Sequence, residues 1–330
     1  MTGSWKVFVV GGNTEVWGSN ASNDTEKIDP LESDSNCIKP SDYPLLLEES
    51  NPPTVDGVYH ELIISCGGTK DYSYIDACYG YNMTSLEWSL VAKMNEGRSN
   101  AASIHLNHKK IWITGGFISN HGNGGISTNT TEILDIETLT FSAGPDLPID
   151  MTDHCMARYN ETHIFIASFL GNYHNSYLVD IDQNPFIFHA LPRITYHRAG
   201  AGCAVLDMEF NNNNNDQNHQ KMNESQTQRG MIVVGGNDYG HYRNDSEILF
   251  LENDAWVQGP KLPRGFASGG YATINENEMI LVGGYNETHG VTDDMMILDT
   301  TSMKFKILPG RLASPRGYFG MTAIFDDESC

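Results

Sequence analysis

The sequence predicts an all-β chain of repeated four-stranded antiparallel sheets set around an axis. Three observations predict it. Apolar runs of strand length close repeatedly on a pair of glycines. Each pair is followed by a polar loop and a second β-like run. No helical periodicity separates these runs.

The doublet ends "KVFVVGG" (Gly11, Gly12), "ELIISCGG" (Gly67, Gly68), "KIWITGG" (Gly115, Gly116), "MIVVGG" (Gly235, Gly236) and "MILVGG" (Gly283, Gly284). A degenerate copy, "HIFIASF", fills the gap near Ser168, which makes six units. The cleanest units span 48 residues, from Gly67 to Gly115 and from Gly235 to Gly283. We label the strands of a unit A (small residues, often led by Arg), B (ending in the doublet), C (ending near Asp) and D (starting at an aromatic). Strand C reads "TEILDIET", "SYLVDID", "SEILFLEND" or "DMMILDTT", and D opens at Trp88, Phe141, Phe188, Trp256 and Phe305. Leu-Pro follows in several units, then a small-residue run such as "RSNAASIHL" or "RAGAGCAVL".

A lone four-stranded sheet cannot bury both faces, and radial stacking into a propeller covers them. Glycine at the end of B permits a positive φ and leaves room for the neighbouring blade, while the aromatic of D wedges between blades. The chain opens in a B strand and its last β-like run, "RGYFGMTAIF", is an A strand without its own B. That run is expected to complete blade one beside "VFVVGG", giving six blades and one domain over residues 1–330. Residues 209–229, "EFNNNNNDQNHQKMNESQTQR", interrupt the A–B turn of blade five and have the composition of a disordered insertion. The long stretch from Thr14 to Glu49 is expected to carry a loose loop around Asn20 and Asn23.

These features are similar to the kelch repeat family over nearly the whole chain. The resemblance rests on the glycine doublet, the aromatic of strand D and their separation, and it implies a kelch β-propeller. The fourth unit departs by lacking the doublet, and the first lacks an evident aromatic partner.

Charge and composition narrow the function. The net charge is −22, which opposes binding to nucleic acid or to anionic membranes. No apolar run reaches the roughly 20 residues of a membrane span. The opening "MTGSWKVFVVGG" is too short in its apolar part for a secretory leader, so a secreted protein would carry its leader outside this chain. Six cysteines (Cys37, Cys66, Cys78, Cys155, Cys203, Cys330) and eight Asn-x-Ser/Thr acceptors (Asn20, Asn23, Asn82, Asn129, Asn160, Asn223, Asn244, Asn286) favour an oxidising, extracellular setting over the cytoplasm. Cys66 and Cys78 face each other across strands B and C of one blade; Cys155 and Cys203 begin neighbouring A strands; Cys37 and Cys330 are left to pair. Free buried thiols are the alternative.

In a propeller the B–C and D–A loops share one face, where function gathers. The A-strand starts bring Arg98, His154, Arg198 and Arg316 there. The B–C loops bring Asp71, Tyr72, Phe117, His121, Tyr173, His174, Asp238, Tyr239, His241, Tyr242, Tyr285 and His289. Tyr, His and Arg suit a recognition surface; the bland reading is that the arginines and His pair with Asp inside the channel and the tyrosines cap blade edges. Asp146, Asp150 and His154 in "DLPIDMTDH" are similar to the iron-binding Glu-x-x-x-Asp-x-x-x-His of plant kelch specifier proteins, with Asp in place of Glu. Asp146, however, lies in a turn where Asp caps its own backbone. Copper-oxidase and sialidase motifs are absent. The expectation is a monomeric, non-enzymatic extracellular module that binds a protein or glycan, without cofactor or metal. The alternatives are a ubiquitin-ligase substrate adaptor in the cytoplasm, as the resemblance allows, and a metal-dependent oxidase or specifier-like enzyme.

Overall fold

The computed structural model describes residues 4–14, 21–33, 40–44, 54–59, 62–71, 73–120, 124–169, 174–210, 226–288 and 290–326. Among them there is no helix, and so none long and apolar enough to cross a membrane. The main architecture is five four-stranded antiparallel sheets and one three-stranded sheet.

In the three-stranded sheet, Ser4–Val10 is central, with Thr25–Ile28 on one side and Gly320–Asp326 on the other. The last strand runs antiparallel to the first over its full length, from Ser4 opposite Asp326 to Val10 opposite Gly320. The second sheet is Thr54–Tyr59, Leu62–Cys66, Ala77–Asn82 and Glu87–Lys93. The third is Ala102–Asn107, Lys110–Thr114, Thr131–Asp135 and Thr140–Ala143. The fourth is Cys155–Arg158, His163–Ser168, Asn175–Asp180 and Ile187–Ala190. The fifth is Gly202–Phe210, Gln226–Val234, Ser246–Phe250 and Val257–Gln258. The sixth is Gly270–Asn275, Glu278–Val282, Asp294–Asp299 and Lys304–Arg311. Each of the five four-stranded sheets is a meander in the order A, B, C, D. The A strands neighbour one another in a circuit: Gly320–Asp326 touches Thr54–Tyr59, and so on through each sheet until Gly270–Asn275 touches Gly320–Asp326 again.

Core residues fall into six clusters among the described residues, each shared by two successive sheets. The D-strand aromatic of one sheet packs on strand B of the sheet before it. Trp88 lies 6.2 Å from Phe8, Phe188 6.3 Å from Trp112, and Trp256 5.9 Å from Phe165 between ring centroids. Between the sixth and first sheets Leu308, Leu312 and Phe319 do this work instead. The long connection of the first unit adds a further aromatic between the first and second sheets: Tyr43 is buried and meets Trp88 edge-on at 4.9 Å.

In four sheets the second glycine of the doublet stitches the sheet to the linker that leads to the next. Gly236 donates its N–H to Phe266 O at 2.6 Å, and Gly116, Gly284 and Gly68 do the same to Met151, Arg316 and Arg98. At Gly235 (φ +67°) an added Cβ would lie 2.3 Å from Phe266 O, so only glycine admits the neighbour so closely. The insertion differs from expectation at its edges. Strand pairing continues through Glu209 opposite Thr227 and Phe210 opposite Gln226, because a two-stranded ribbon can run on beyond the sheet by pairing its own backbone. Residues 211–225 lie outside the described part.

Candidate functional site

Strand A starts where strand B ends, so the D–A linkers and B–C loops crowd one end of the molecule. Four B–C loops are themselves small ribbons: Thr69–Lys70 with Ser73–Tyr74, Phe117–Ser119 with Gly125–Ser127, Asn237–Asp238 with His241–Tyr242, and Tyr285–Asn286 with Gly290–Val291. This pairing gives the loop end more rigidity than its polar sequence suggests.

The three arginines expected on this surface are inside it. Arg98, Arg198 and Arg316 are no more than 2% exposed. Each guanidinium enters its own sheet beside the glycine doublet, where the missing side chains leave a carbonyl open. Arg198 donates to Gly235 O at 2.7 Å, to Asp245 O at 3.2 Å and to Glu247 Oε1 at 2.9 Å. Arg98 likewise reaches Gly115 O, Thr130 O and Glu132 Oε1 at 2.8, 3.1 and 3.0 Å. Arg316 reaches Gly11 O at 3.0 Å and pairs with Glu26. The glutamates in turn accept linker N–H groups, as Glu247 does from Thr195 at 2.9 Å. The signal in the sequence is the Thr/Ser-Glu that opens strand C in "TEKI", "TEILD" and "SEILF". These arginines hold the loops in place from within.

At the axis the linkers form a collar. Asn100, Asp153, Gly200, Ser268 and Tyr318 all have φ between +50° and +66°. Their peptides bond in sequence: Asp153 N to Asn100 O, Gly200 N to Asp153 O, Ser268 N to Gly200 O and Tyr318 N to Ser268 O, at 3.2, 3.3, 2.8 and 2.7 Å. Four of the five are not glycine and carry the left-handed strain, typically about 1–2 kcal/mol per residue. The collar opens into a channel of about 450 Å³ walled by A strands. His154 is buried in that wall, with Nε2 2.7 Å from Thr114 Oγ1. Burial lowers its pKa to about 3. Asp153 receives Asn100 Nδ2 at 2.5 Å and Thr152 Oγ1 at 3.2 Å, yet burial raises its pKa overall. Cys155–Cys203 joins the fourth and fifth sheets at the same level, and Cys66–Cys78 lies between opposed residues of the second. Cys37 and Cys330 lie outside the described residues.

Further out lies an aromatic platform. Tyr239, 69% exposed, stacks on His197 at 4.6 Å between centroids and 24° between planes. His174 meets His197 edge-on at 5.7 Å. Asn237 O lies 2.8 Å from His197 Nδ1, which fixes that ring, and burial lowers the pKa of His174. Arg243 lies 3.7 Å over the ring of Tyr196 and is clamped by Asp238 at 2.9 Å and Asp245 at 2.6 Å. Tyr196, His197 and Arg243 escape the sequence reading, although "TYHR" and "HYRND" place them beside residues it selects. His241 is exposed and 3.4 Å from Glu287; Phe117 is half-buried; Tyr285 is buried, between Tyr242 and Tyr318 at 6.1 and 5.4 Å. Tyr72, His121, Tyr173 and His289 lie outside the described residues.

Asp146 and Asp150 are exposed whereas His154 is buried in the channel wall, so this spacing does not converge. No group of three or more His, Cys, Asp or Glu is placed to hold a metal among the described residues. Of the glycosylation acceptors, Asn160 and Asn244 are exposed, and Asn23, Asn82 and Asn129 are half-buried. Asn286 is 2% exposed, and its Oδ1 accepts from Thr288 N at 3.0 Å. Asn20 and Asn223 lie outside the described residues.

No family model and no curated protein matches the chain. Its structure is similar to the solved structure of YjhT, with a TM-score of 0.68 and 13% identity over 91% of this chain and 96% of that one. At that identity the likeness shows the fold, a β-propeller.

Proposed function

We propose that the chain is a six-bladed kelch-type propeller, sealed by its last strand, that works extracellularly as a non-enzymatic binding module. Its loop end recognises a protein or glycan partner. The observation that carries this reading is the platform of Tyr239, His197 and Tyr196 with Arg243, an exposed set of flat rings and a fixed cation. Such groups supply large contact area with little side-chain entropy to lose. The blade count is supported by the circuit of A strands, and the kelch assignment by five doublets with D-strand aromatics at matching positions. The compartment is supported by two disulfides and by exposed acceptors at Asn160 and Asn244.

The test displays the purified chain to a glycan array and a panel of secreted ectodomains, beside a Tyr196→Ala/Tyr239→Ala variant. Ligands captured by the parent and lost by the folded variant support the reading. Equal capture by both overturns it. Intact mass before and after reduction and deglycosylation tests the compartment, and unmodified asparagines with six alkylatable thiols would sink that part.

A further inference from the structure

The channel wall is unusual in what it offers a ligand. Asn100 and His154 are 7% and 6% exposed, and Asn100 Oδ1 and His154 Nδ1 find no hydrogen-bond partner. Buried polar atoms are seldom left so, and each such atom asks for a missing partner. The chemistry of both atoms is readable. The amide of Asn100 gives its Nδ2 to Asp153, so Oδ1 is an acceptor. Thr114 Oγ1 has Ala102 O at 3.3 Å and Met156 Sδ at 3.2 Å as acceptors for its proton, and with the proton given to either it accepts from His154 Nε2–H at 2.7 Å. That tautomer leaves Nδ1 with a lone pair. Beside them stands the Asp153 carboxylate. The collar's peptide N–H groups from Asp153 to Tyr318 are used in the ring of backbone bonds.

The wall thus sets these acceptors among the hydroxyls of Ser103, Ser268, Tyr271, Thr273, Tyr318 and Thr322, which donate or accept as a ligand requires. Ala102, Met156, Val205 and Met321 complete it with apolar surface. The cation among the described lining residues, Arg158, is at the far end of strand Cys155–Arg158, and its guanidinium is engaged with the carbonyls of His105, Asn160 and Glu161. We propose that the channel binds an alkylammonium group, with Asp153 as its counter-ion and Asn100 Oδ1 and His154 Nδ1 as hydrogen-bond acceptors. Three N–H donors of an ammonium match three acceptor groups, and its alkyl stem matches the apolar wall. The ring of backbone bonds holds Asn100, Asp153, Ser268 and Tyr318 in the left-handed region, as expected of a preformed site. The net charge of −22 draws cations toward the molecule. The source is either a free amine or a lysine side chain on a partner.

The inference goes beyond the loop-end reading and does not need the platform. Isothermal titration at pH 7.5 and 0.15 M salt uses n-butylammonium, putrescine and a blocked lysine (N-acetyl-lysine amide). n-Pentanol and acetate are the neutral and anionic controls. At least one ammonium probe is expected to bind, with affinity reduced tenfold or more in Asp153→Asn, an isosteric change. Asp254→Asn, which removes an exposed acid, is expected to bind as the parent does. Binding of free amines assigns the site to small molecules, and binding of the lysine probe alone assigns it to a partner's side chain; either supports the site. No heat with any ammonium probe at 10 mM-scale concentration (roughly the weakest useful range), equal binding by pentanol, or an unchanged Asp153→Asn variant would overturn it.

Discussion

Glu247→Ala is the substitution whose cost follows most directly from the structure. It removes the carboxylate that faces Arg198 at 2.9 Å, where Arg198 is 0% and Glu247 5% exposed by side chain. Deleting one member of a buried pair leaves the other charge without compensation, which costs about 3–5 kcal/mol. Thr195 N also loses its acceptor, a further loss of about 1 kcal/mol. Asp245, 3.0 Å from Arg198, offsets part of the damage, so the lower end of the range is expected. The internal control is Glu137→Ala, which breaks the exposed Lys109–Glu137 pair and should cost under about 1 kcal/mol. Equilibrium urea unfolding followed by tryptophan fluorescence measures both, since Trp256 and Trp88 report sheet-to-sheet packing. A double Arg198→Met/Glu247→Leu variant should lose less than the single, because no lone charge remains buried. If Glu247→Ala matches Glu137→Ala, the arginines are not structural anchors and the account of the loop end fails.

Removing Cys155–Cys203 with a double Ala variant should cost about 4 kcal/mol and removing Cys66–Cys78 about 3 kcal/mol, from loop-closure entropy at sequence separations of 48 and 12. Both differences should vanish when parent and variants are compared under reductant; persistence there would show that the cysteines act by packing. For His154 the folded pKa of about 3 lies below the ordinary 6.5, so the unfolded chain takes up the proton first as pH falls. Stability is therefore complete above 6.5 and declines by about 1.4 kcal/mol per pH unit below it. Between pH 6.5 and 5, His154→Gln should lose roughly 2 kcal/mol less than the parent. Parallel pH profiles would contradict the neutral, buried imidazole.

How far the sequence speaks depends on whether a signal is periodic or depends on contacts across units. Gly235 and Gly283 repeat at fixed spacing, and the strand order and the wedge at Trp256 follow from that repeat. Cys66–Cys78 is legible because opposed positions of one hairpin are close in sequence. The arginines mislead because charge alone suggests solvent; what buries Arg198 is Glu247, 49 residues further on. The burial of Asn286 is illegible for a similar reason, since a local triplet carries no information about the ribbon that encloses it. The collar at Asn100, Asp153, Ser268 and Tyr318 uses four different residue types for one backbone conformation, so no motif announces it. Tyr196 and His197 belong to a linker whose role depends on meeting Tyr239 and Arg243 from the following loop.

Truncation of residues 316–330 tests the architecture most directly, because it removes both Arg316 and the strand Gly320–Asp326 that pairs with Ser4–Val10. Urea unfolding of the shortened chain should show no cooperative transition at the parent's midpoint, with its tryptophans already exposed to water in buffer. An unchanged midpoint and slope would contradict a ring held shut by its final strand.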